Sequence, residues 1–162
     1  MGEMVIQHPA VPVPTVIYLD DDQANRQAFL AAFRRDLRIL LAANVEEVWQ
    51  HLAQHQVQVL IADQRLPGPQ GSEILAMVRE RFPSVRRMIL TGYCDIQAVV
   101  DAINRGGVSR YLYKPWDPAE VLKAVKEAHA EYLSENDRLD HLEKLTEANR
   151  QLEFALRQRL LS

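Results

Sequence analysis

Three consecutive carboxylates, Asp20, Asp21 and Asp22, follow the short apolar segment TVIYL, and a fourth, Asp63, follows VLIA. Two unit charges about 4 Å apart repel by roughly 4 kcal/mol at the effective dielectric near a protein surface, so acids gathered at one place need a cation. Carboxylate oxygens are hard ligands that suit Mg²⁺. The alternative is a solvated acidic turn in which Asp22 caps the next helix, and the three adjacent aspartates alone do not decide between the two.

A hydroxyl group and an ammonium group follow two later apolar segments. Thr91 ends the run MILT, and Lys114 follows the run YLY. A metal ion and a lysine neutralise phosphoryl oxygens, a threonine donates a hydrogen bond to them, and an aspartate attacks phosphorus. Taken singly, Thr91 and Lys114 are typical of any strand end or surface. Their order and spacing together with the acids indicate a site that handles phosphoryl groups.

The elements that must position these residues are short apolar runs alternating with stretches of helical length and period. This alternation predicts an α/β fold with a parallel sheet covered by helices on both sides. The strands are predicted at 15–19, 38–43, 57–62, 86–90 and 110–113, and the helices at 23–35, 45–54, 72–81, 95–104 and 118–161. In such a sheet, ligand chemistry collects at the carboxyl ends of the strands, where the polar residues fall.

Composition narrows the class of protein. The chain has 162 residues, which suffice for one hydrophobic core. Its net charge of -3 gives no general attraction to nucleic acid or to anionic membranes. The single cysteine, Cys94, excludes an intramolecular disulfide. No apolar run approaches the roughly 18 residues of a membrane span, so we expect a cytoplasmic protein. Residues 1–14, which contain HPAVPVP, are predicted to form a flexible arm. The scattered histidines are expected to be exposed: His8, His51, His55, His129 and His141.

The segments LDDD, IADQRLPGPQG, LTGY and YLYKPW together resemble the receiver domain of two-component response regulators, over roughly 15–132. The resemblance implies a flavodoxin-like, doubly wound sheet of five parallel strands in the order 2-1-3-4-5. It implies that Asp63 accepts a phosphoryl group from a sensor histidine kinase. Asp21, Asp63 and the backbone carbonyl of Arg65 would bind Mg²⁺ directly, and Asp20 would bind it through a water molecule.

The same resemblance gives roles to the residues of the last two strands. Thr91 and Lys114 would contact the phosphoryl oxygens, and Tyr111 would be an aromatic switch that responds to Thr91, unless it is an ordinary core tyrosine. The Lys114–Pro115 bond is expected to be cis, because proline lowers the preference for trans to about 0.5–1 kcal/mol. For Asp22 the helix cap remains the preferred role.

The chain from Pro118 to Leu161 contains no proline or glycine, which allows about 66 Å of continuous helix. Within it, a 3-4 spacing typical of a coiled-coil seam links Leu142, Leu145, Asn149, Leu152 and Leu156. Residues 133–162 are therefore predicted to be a helical linker that forms a parallel homodimer. The alternative is a solvated helix that folds back or frays.

KPW, LTGYCD and the long linker are similar to receivers of nitrogen-regulator-type transcription activators, among them the hydrogenase regulators. We therefore expect the receiver and linker of a longer regulator, not an enzyme, with DNA contacts only through an output domain outside this sequence. The alternatives are a receiver of a cyclic-di-GMP phosphodiesterase-type regulator and a dimerisation module that is not phosphorylated. An aspartate-based phosphatase is disfavoured, because Arg65 stands where its second aspartate is expected.

Overall fold

The computed structural model describes residues 11–105 and 107–161, with the exception of the Tyr93 side chain. Strands and helices alternate along this part of the chain, and a short 3-10 turn, Tyr93–Asp95, precedes the fourth helix. The elements are β1 Thr15–Leu19, α1 Gln23–Phe33, β2 Arg38–Ala42, α2 Val45–Gln54, β3 Val59–Asp63, α3 Gly71–Arg81, β4 Arg86–Thr91, α4 Ile96–Asn104, β5 Arg110–Tyr113 and α5 Pro118–Leu161. All strand pairs are parallel, in the order β2-β1-β3-β4-β5, which confirms the predicted fold class.

Helices cover both faces of the sheet, so every residue of β1 and β3 is buried. Because successive side chains of a strand point to opposite faces, the alternate residues Ile17 and Leu60 pack with α2, α3 and α4. Their neighbours Val16 and Ile61 pack with α1 and α5 on the other face. The apolar runs of the sequence therefore become the centre of a three-layer core.

Helix caps explain why several boundaries match the predictions. Asn44 caps α2 by accepting a hydrogen bond from the Glu47 amide at 3.0 Å. Asp22 caps α1 by accepting from the Asn25 amide at 3.1 Å, so its predicted capping role is confirmed. The helix α1 ends at Phe33, two residues earlier than predicted.

The expectation that all histidines are exposed is wrong for His129, which is only 5% exposed. It lies on α5 beside Val125, Ala128 and Tyr132, which share the buried face of the helix. Burial lowers the pKa of His129. His8 lies outside the described residues.

After Tyr132, α5 continues without a break to Leu161 and leaves the core. From Asp137 onward its described residues are exposed. Of the predicted arm, residues 1–10 lie outside the described part of the chain. None of the described helices is both long enough and apolar enough to cross a membrane.

Candidate functional site

Strand register brings the predicted acids together at the carboxyl edge of the sheet. Leu19 of β1 is paired with Ala62 of β3, so the residues that follow them, Asp20 and Asp63, emerge side by side. Asp20, Asp21 and Asp63 each offer a carboxylate oxygen, and these oxygens lie within 4.8 Å of one another. Asp20 is completely buried and Asp63 is 5% exposed, whereas Asp21 is exposed.

Asp20 is surrounded by hydrogen-bond donors that the sequence analysis did not single out. The Tyr18 hydroxyl donates to Oδ2 of Asp20 at 2.9 Å, and Nδ2 of Asn25 donates to the same oxygen at 3.1 Å. The Asp22 amide donates to Oδ1 at 2.9 Å. Burial, with the charge of Asp20 adding to it, raises the pKa of Tyr18, so the phenol keeps the proton that it donates.

Asp63 has a cation beside it. Nζ of Lys114 lies 2.8 Å from Oδ1 of Asp63, and the Arg65 amide donates to the same oxygen at 3.3 Å. Burial raises the pKa of Asp63, the contact with Lys114 acts in the opposite direction, and Asp20 adds to the rise. The structure thus places Lys114, which was predicted to lie at the same edge of the sheet, in contact with Asp63.

The end of β5 aims Lys114 at this cluster. Thr91 of β4 is paired with Tyr113 of β5, and the Lys114 amide donates to the Thr91 carbonyl at 2.9 Å. The Lys114–Pro115 bond is cis, which confirms the prediction. The next residue, Trp116, packs against Phe33 with ring centroids 5.3 Å apart. The segment after Lys114 is therefore fixed by the core beneath α1.

The loop between β3 and α3 depends on a glycine at the first position of the helix. A Cβ atom at Gly71 would lie 2.1 Å from the backbone oxygen of Asp63, so only glycine fits there without a shift of the backbone. The Arg65 side chain leaves this loop and pairs with Asp95 at 3.0 Å. The predicted metal ligand of Arg65 is its backbone carbonyl. The ion pair with Asp95 involves only the Arg65 side chain, so it does not occupy that carbonyl.

Thr91 and Tyr111, the predicted switch pair, line one cavity but differ in exposure. Thr91 is buried, and its hydroxyl donates to the Gly92 carbonyl at 3.1 Å. Tyr111 is 47% exposed, and its ring packs edge-on against Tyr113 at 5.3 Å. A cavity of about 60 Å³, lined by both residues and by Val99 of α4, lies between them.

The donor set fits the metal ion predicted from the sequence. Three carboxylates converge within 4.8 Å, and hard oxygen donors of this kind suit Mg²⁺. The completely buried Asp20 supports this fit, because a buried charge is tolerated only when it is paired or coordinates a metal.

Comparison with known proteins agrees with this fold. The family described as "Response regulator receiver domain" has a model that matches residues 16–126. The chain therefore belongs to the receiver domain family of two-component response regulators. Receiver domains are in general signalling modules rather than enzymes, and the acidic pocket of this family binds Mg²⁺.

Two transcription regulators are similar to this chain. The "Hydrogenase transcriptional regulatory protein HoxA" of Cupriavidus necator is 32% identical over 114 residues, which are 70% of this chain and 24% of that protein. The "DNA-binding transcriptional regulator NtrC" of Escherichia coli K12 is 32% identical over 115 residues, with the same two shares. The chain thus spans 24% of the length of each regulator.

A solved structure is also similar. The signal receiver domain of an HD domain-containing protein from Pseudomonas fluorescens Pf-5 superposes with a TM-score of 0.71 and 30% identity, over 76% of this chain and 99% of that one. Sequence and structure comparisons therefore agree on a receiver domain, and the sequence comparison relates it to transcription regulators.

Proposed function

We propose that this receiver accepts a phosphoryl group on Asp63 from a sensor histidine kinase, with Mg²⁺ bound at Asp21, Asp63 and the Arg65 carbonyl, and at Asp20 through a water molecule. The observation that carries the proposal is the contact of Asp63 with Lys114, 2.8 Å apart, inside a cluster of three carboxylates. Phosphoryl transfer to a carboxylate requires positive charge beside the reacting acid and further acids that hold a metal cation. Lys114 provides the first, and Asp20 and Asp21 provide the second.

The contacts of Asp63 suggest which of its oxygens reacts. Lys114 and the Arg65 amide both contact Oδ1, which leaves Oδ2 to attack phosphorus. The new O–P bond forms as the P–N bond of a phosphohistidine breaks, and the imidazole leaves with the bonding pair. Lys114 then contacts a phosphoryl oxygen, and Thr91 turns its hydroxyl from the Gly92 carbonyl toward another. When bound at these carboxylates, Mg²⁺ would supply positive charge that neutralises the phosphoryl oxygens.

Intact-mass analysis after treatment with acetyl phosphate and MgCl₂ tests this assignment. We expect one phosphoryl adduct on the wild type and none on Asp63→Asn. Asp36→Asn, which removes a carboxylate in the loop after α1, is the matched control and should keep the adduct. An adduct of unchanged yield on Asp63→Asn would contradict the role of Asp63.

The phosphorylated state would be relayed through Thr91 and Tyr111 to the surface formed by α4, β5 and α5. The shared cavity supports this route, because it offers space behind Thr91 once its hydroxyl moves. Tyr111 is half-exposed, so its ring is not packed in the core and can turn inward toward this cavity. Fluorine NMR of 3-fluorotyrosine at position 111 should show a new resonance on addition of beryllofluoride and Mg²⁺. An unchanged resonance would contradict the switch role.

The receiver, residues 15–132, and the helical linker, 133–162, would belong to a longer transcription regulator. Similarity to HoxA and NtrC supports this output class. DNA contacts would then come from an output domain that this sequence does not include. The cyclic-di-GMP phosphodiesterase-type alternative stays open, because the chain is also similar to the receiver of an HD domain-containing protein. Sequencing the gene on the 3′ side of the Ser162 codon distinguishes the two output classes.

The linker helix would pair with a second copy of the chain in parallel. The seam leucines, which are between 47% and 63% exposed, present an apolar stripe that the receiver does not cover: Leu142, Leu145, Leu152 and Leu156. Helices gain most of their stability in proteins from packing such a stripe. Asn149, within the seam, hydrogen-bonds to its counterpart only when the helices are parallel and in register.

Light scattering across a concentration series tests the dimer. We expect a dimer at tens of micromolar, and monomers after removal of the residues that follow Leu133. Asn149→Leu should tighten association but allow more than one stoichiometry, because the polar residue selects two strands at some cost in stability. A wild type that stays monomeric would contradict the dimer, and an antiparallel pair would contradict the role of Asn149.

A further inference from the structure

Two side chains hold one oxygen of Asp20, the buried acid of the cluster. Tyr18 lies two residues before Asp20, and residues two apart on an extended chain point to the same side. Its hydroxyl donates to Oδ2 at 2.9 Å. Asn25, in the first turn of α1, donates its Nδ2 to the same oxygen at 3.1 Å. β1 and α1 therefore both contribute a donor to Oδ2.

The two oxygens of Asp20 consequently differ in what they can still bind. A carboxylate has about four lone-pair sites, two on each oxygen. Oδ2 accepts two side-chain hydrogen bonds, whereas Oδ1 accepts one hydrogen bond, from the Asp22 amide at 2.9 Å. The remaining acceptor site is therefore on Oδ1.

We propose that Tyr18, together with Asn25, is a positioning residue for the cation of this site. By holding Oδ2, these donors fix the rotation of the Asp20 carboxylate, so that Oδ1 faces the cation or a water molecule bound to it. The inference rests on the proposed function, because the cation is the one that phosphoryl transfer to Asp63 requires.

The Tyr18 ring is itself held in one orientation by packing. It stacks on Phe29 with centroids 4.0 Å apart and planes 2° from parallel. Phe29 in turn packs edge-on against Trp116 at 5.9 Å, two residues after Lys114. A ring fixed on one face by stacking has little freedom to turn, so its hydroxyl is well placed to orient a carboxylate.

The chemistry of divalent cations gives this inference a specific signature. Mg²⁺ demands near-ideal octahedral geometry, whereas Ca²⁺ accepts flexible arrangements of oxygen ligands. Loss of a donor that holds the Asp20 carboxylate should therefore weaken Mg²⁺ binding more than Ca²⁺ binding. Loss of an outer partner of a metal ligand typically lowers metal affinity by about 10–100-fold.

Isothermal titration of the full chain with MgCl₂ and with CaCl₂ is the test. Tyr18→Phe keeps the stacked ring and removes only the donor, so the Kd for Mg²⁺ should rise by about 10–100-fold and the preference for Mg²⁺ over Ca²⁺ should fall. Asn25→Ala should change both quantities in the same direction. Tyr132→Phe is the control, because Tyr132 is also buried but its hydroxyl contacts Gln56, before β3. Its Kd should match that of the wild type.

Circular dichroism shows whether each variant folds. If Tyr18→Phe does not fold, Asn25→Ala carries the test alone, since Asn25 is exposed and donates to the same oxygen. A folded variant whose Kd for Mg²⁺ stays within about twofold of the wild type, or one that loses Mg²⁺ and Ca²⁺ equally, overturns the role of Tyr18 and Asn25. A wild type that binds no Mg²⁺ would instead contradict the proposed function.

Discussion

Asp63→Asn should make the protein more stable when no divalent cation is present. The substitution keeps the shape of the side chain and removes one charge from a cluster in which three carboxylates offer oxygens within 4.8 Å of one another. Burial raises the pKa of Asp63, which means that the folded protein favours the uncharged form more than water does. A neutral amide at this position therefore removes an unfavourable charge from the fold.

The size of the effect follows from the distances. At an effective dielectric of 20, two charges at the 4.8 Å upper limit of this cluster repel by about 3.5 kcal/mol, and we take this value for Asp63 and the buried Asp20. The exposed Asp21 adds about 1 kcal/mol, the value for water. Lys114, 2.8 Å from Asp63, attracts it by about 6 kcal/mol at the same dielectric, and screening of its 34% exposed side chain reduces this to about half. The balance predicts a gain of about 1–2 kcal/mol in the free energy of unfolding.

Mg²⁺ should remove this advantage. A ligand at 100 times its Kd stabilises the folded state by about 2.7 kcal/mol. The wild type should gain this amount, and the variant, in which a neutral amide oxygen replaces one of the proposed carboxylate ligands, should gain less. The difference between the two proteins should therefore disappear or change sign when Mg²⁺ is added.

Urea unfolding followed by circular dichroism, in EDTA and in saturating MgCl₂, measures both effects. Asp36→Asn removes an equal charge outside the cluster and should stay within about 0.5 kcal/mol of the wild type in each condition. Lower stability of Asp63→Asn in EDTA would refute the reasoning, because the pair with Lys114 would then outweigh the repulsion. An equal gain from Mg²⁺ in both proteins would show that the cation binds elsewhere.

Two further predictions concern residues around the site and in the core. Gly71→Ala should lower the free energy of unfolding by about 1–3 kcal/mol in urea titrations, because its Cβ would clash with the Asp63 carbonyl. Gly92→Ala is the control and should leave the free energy of unfolding unchanged, because no atom lies within 4 Å of the added Cβ. Burial holds the pKa of His129 below its usual value of 6.5, so this histidine binds a proton more readily in the unfolded chain than in the folded protein. The free energy of unfolding should therefore fall as the pH drops below about 6.5. His129→Gln should flatten this decline between pH 7.5 and 5.5 in urea titrations, and His141→Gln, an exposed histidine on α5, should leave it in place.

Local signals in the sequence predicted most of the fold. Asn44 and Pro118 mark the beginnings of α2 and α5 because capping and proline chemistry act within a few residues. The end of α1 was missed because it depends on tertiary packing. The amides of Asp36 and Leu37 both donate to the Phe33 carbonyl, and this turn buries Leu37 in the core.

Local signals also predicted part of the candidate site. The acids and Lys114 could be predicted because each ends a strand, and parallel strands end at one edge. Tyr18 carried a signal that was overlooked, since it lies two residues before Asp20 and so on the same side of the chain. The ion pair of Arg65 and Asp95 joins two loops that are 30 residues apart, and no spacing rule relates them.

The linker helix shows where two sequence signals oppose each other. Residues 133–147 contain five acidic and two basic side chains, and residues 148–162 contain three basic and one acidic. Opposite charge on the two halves favours antiparallel pairing, whereas Asn149 favours parallel pairing. Several of these charges are already paired within the helix, as Arg138 is with Glu135 and Lys144 with Asp140.

Magnitudes decide between the two orientations. Exposed ion pairs contribute about 0.2–1 kcal/mol each and weaken further beyond a Debye length of about 8 Å at physiological salt. In an antiparallel pair, a residue at an a position faces a d position of the partner, so Asn149 of each chain would face a leucine. A buried polar group without a partner costs about 1–3 kcal/mol, and the antiparallel pair would bury one in each chain. This cost exceeds the contribution of the screened charges, so we expect the proposed dimer to be parallel, with both receivers at the same end of the coil.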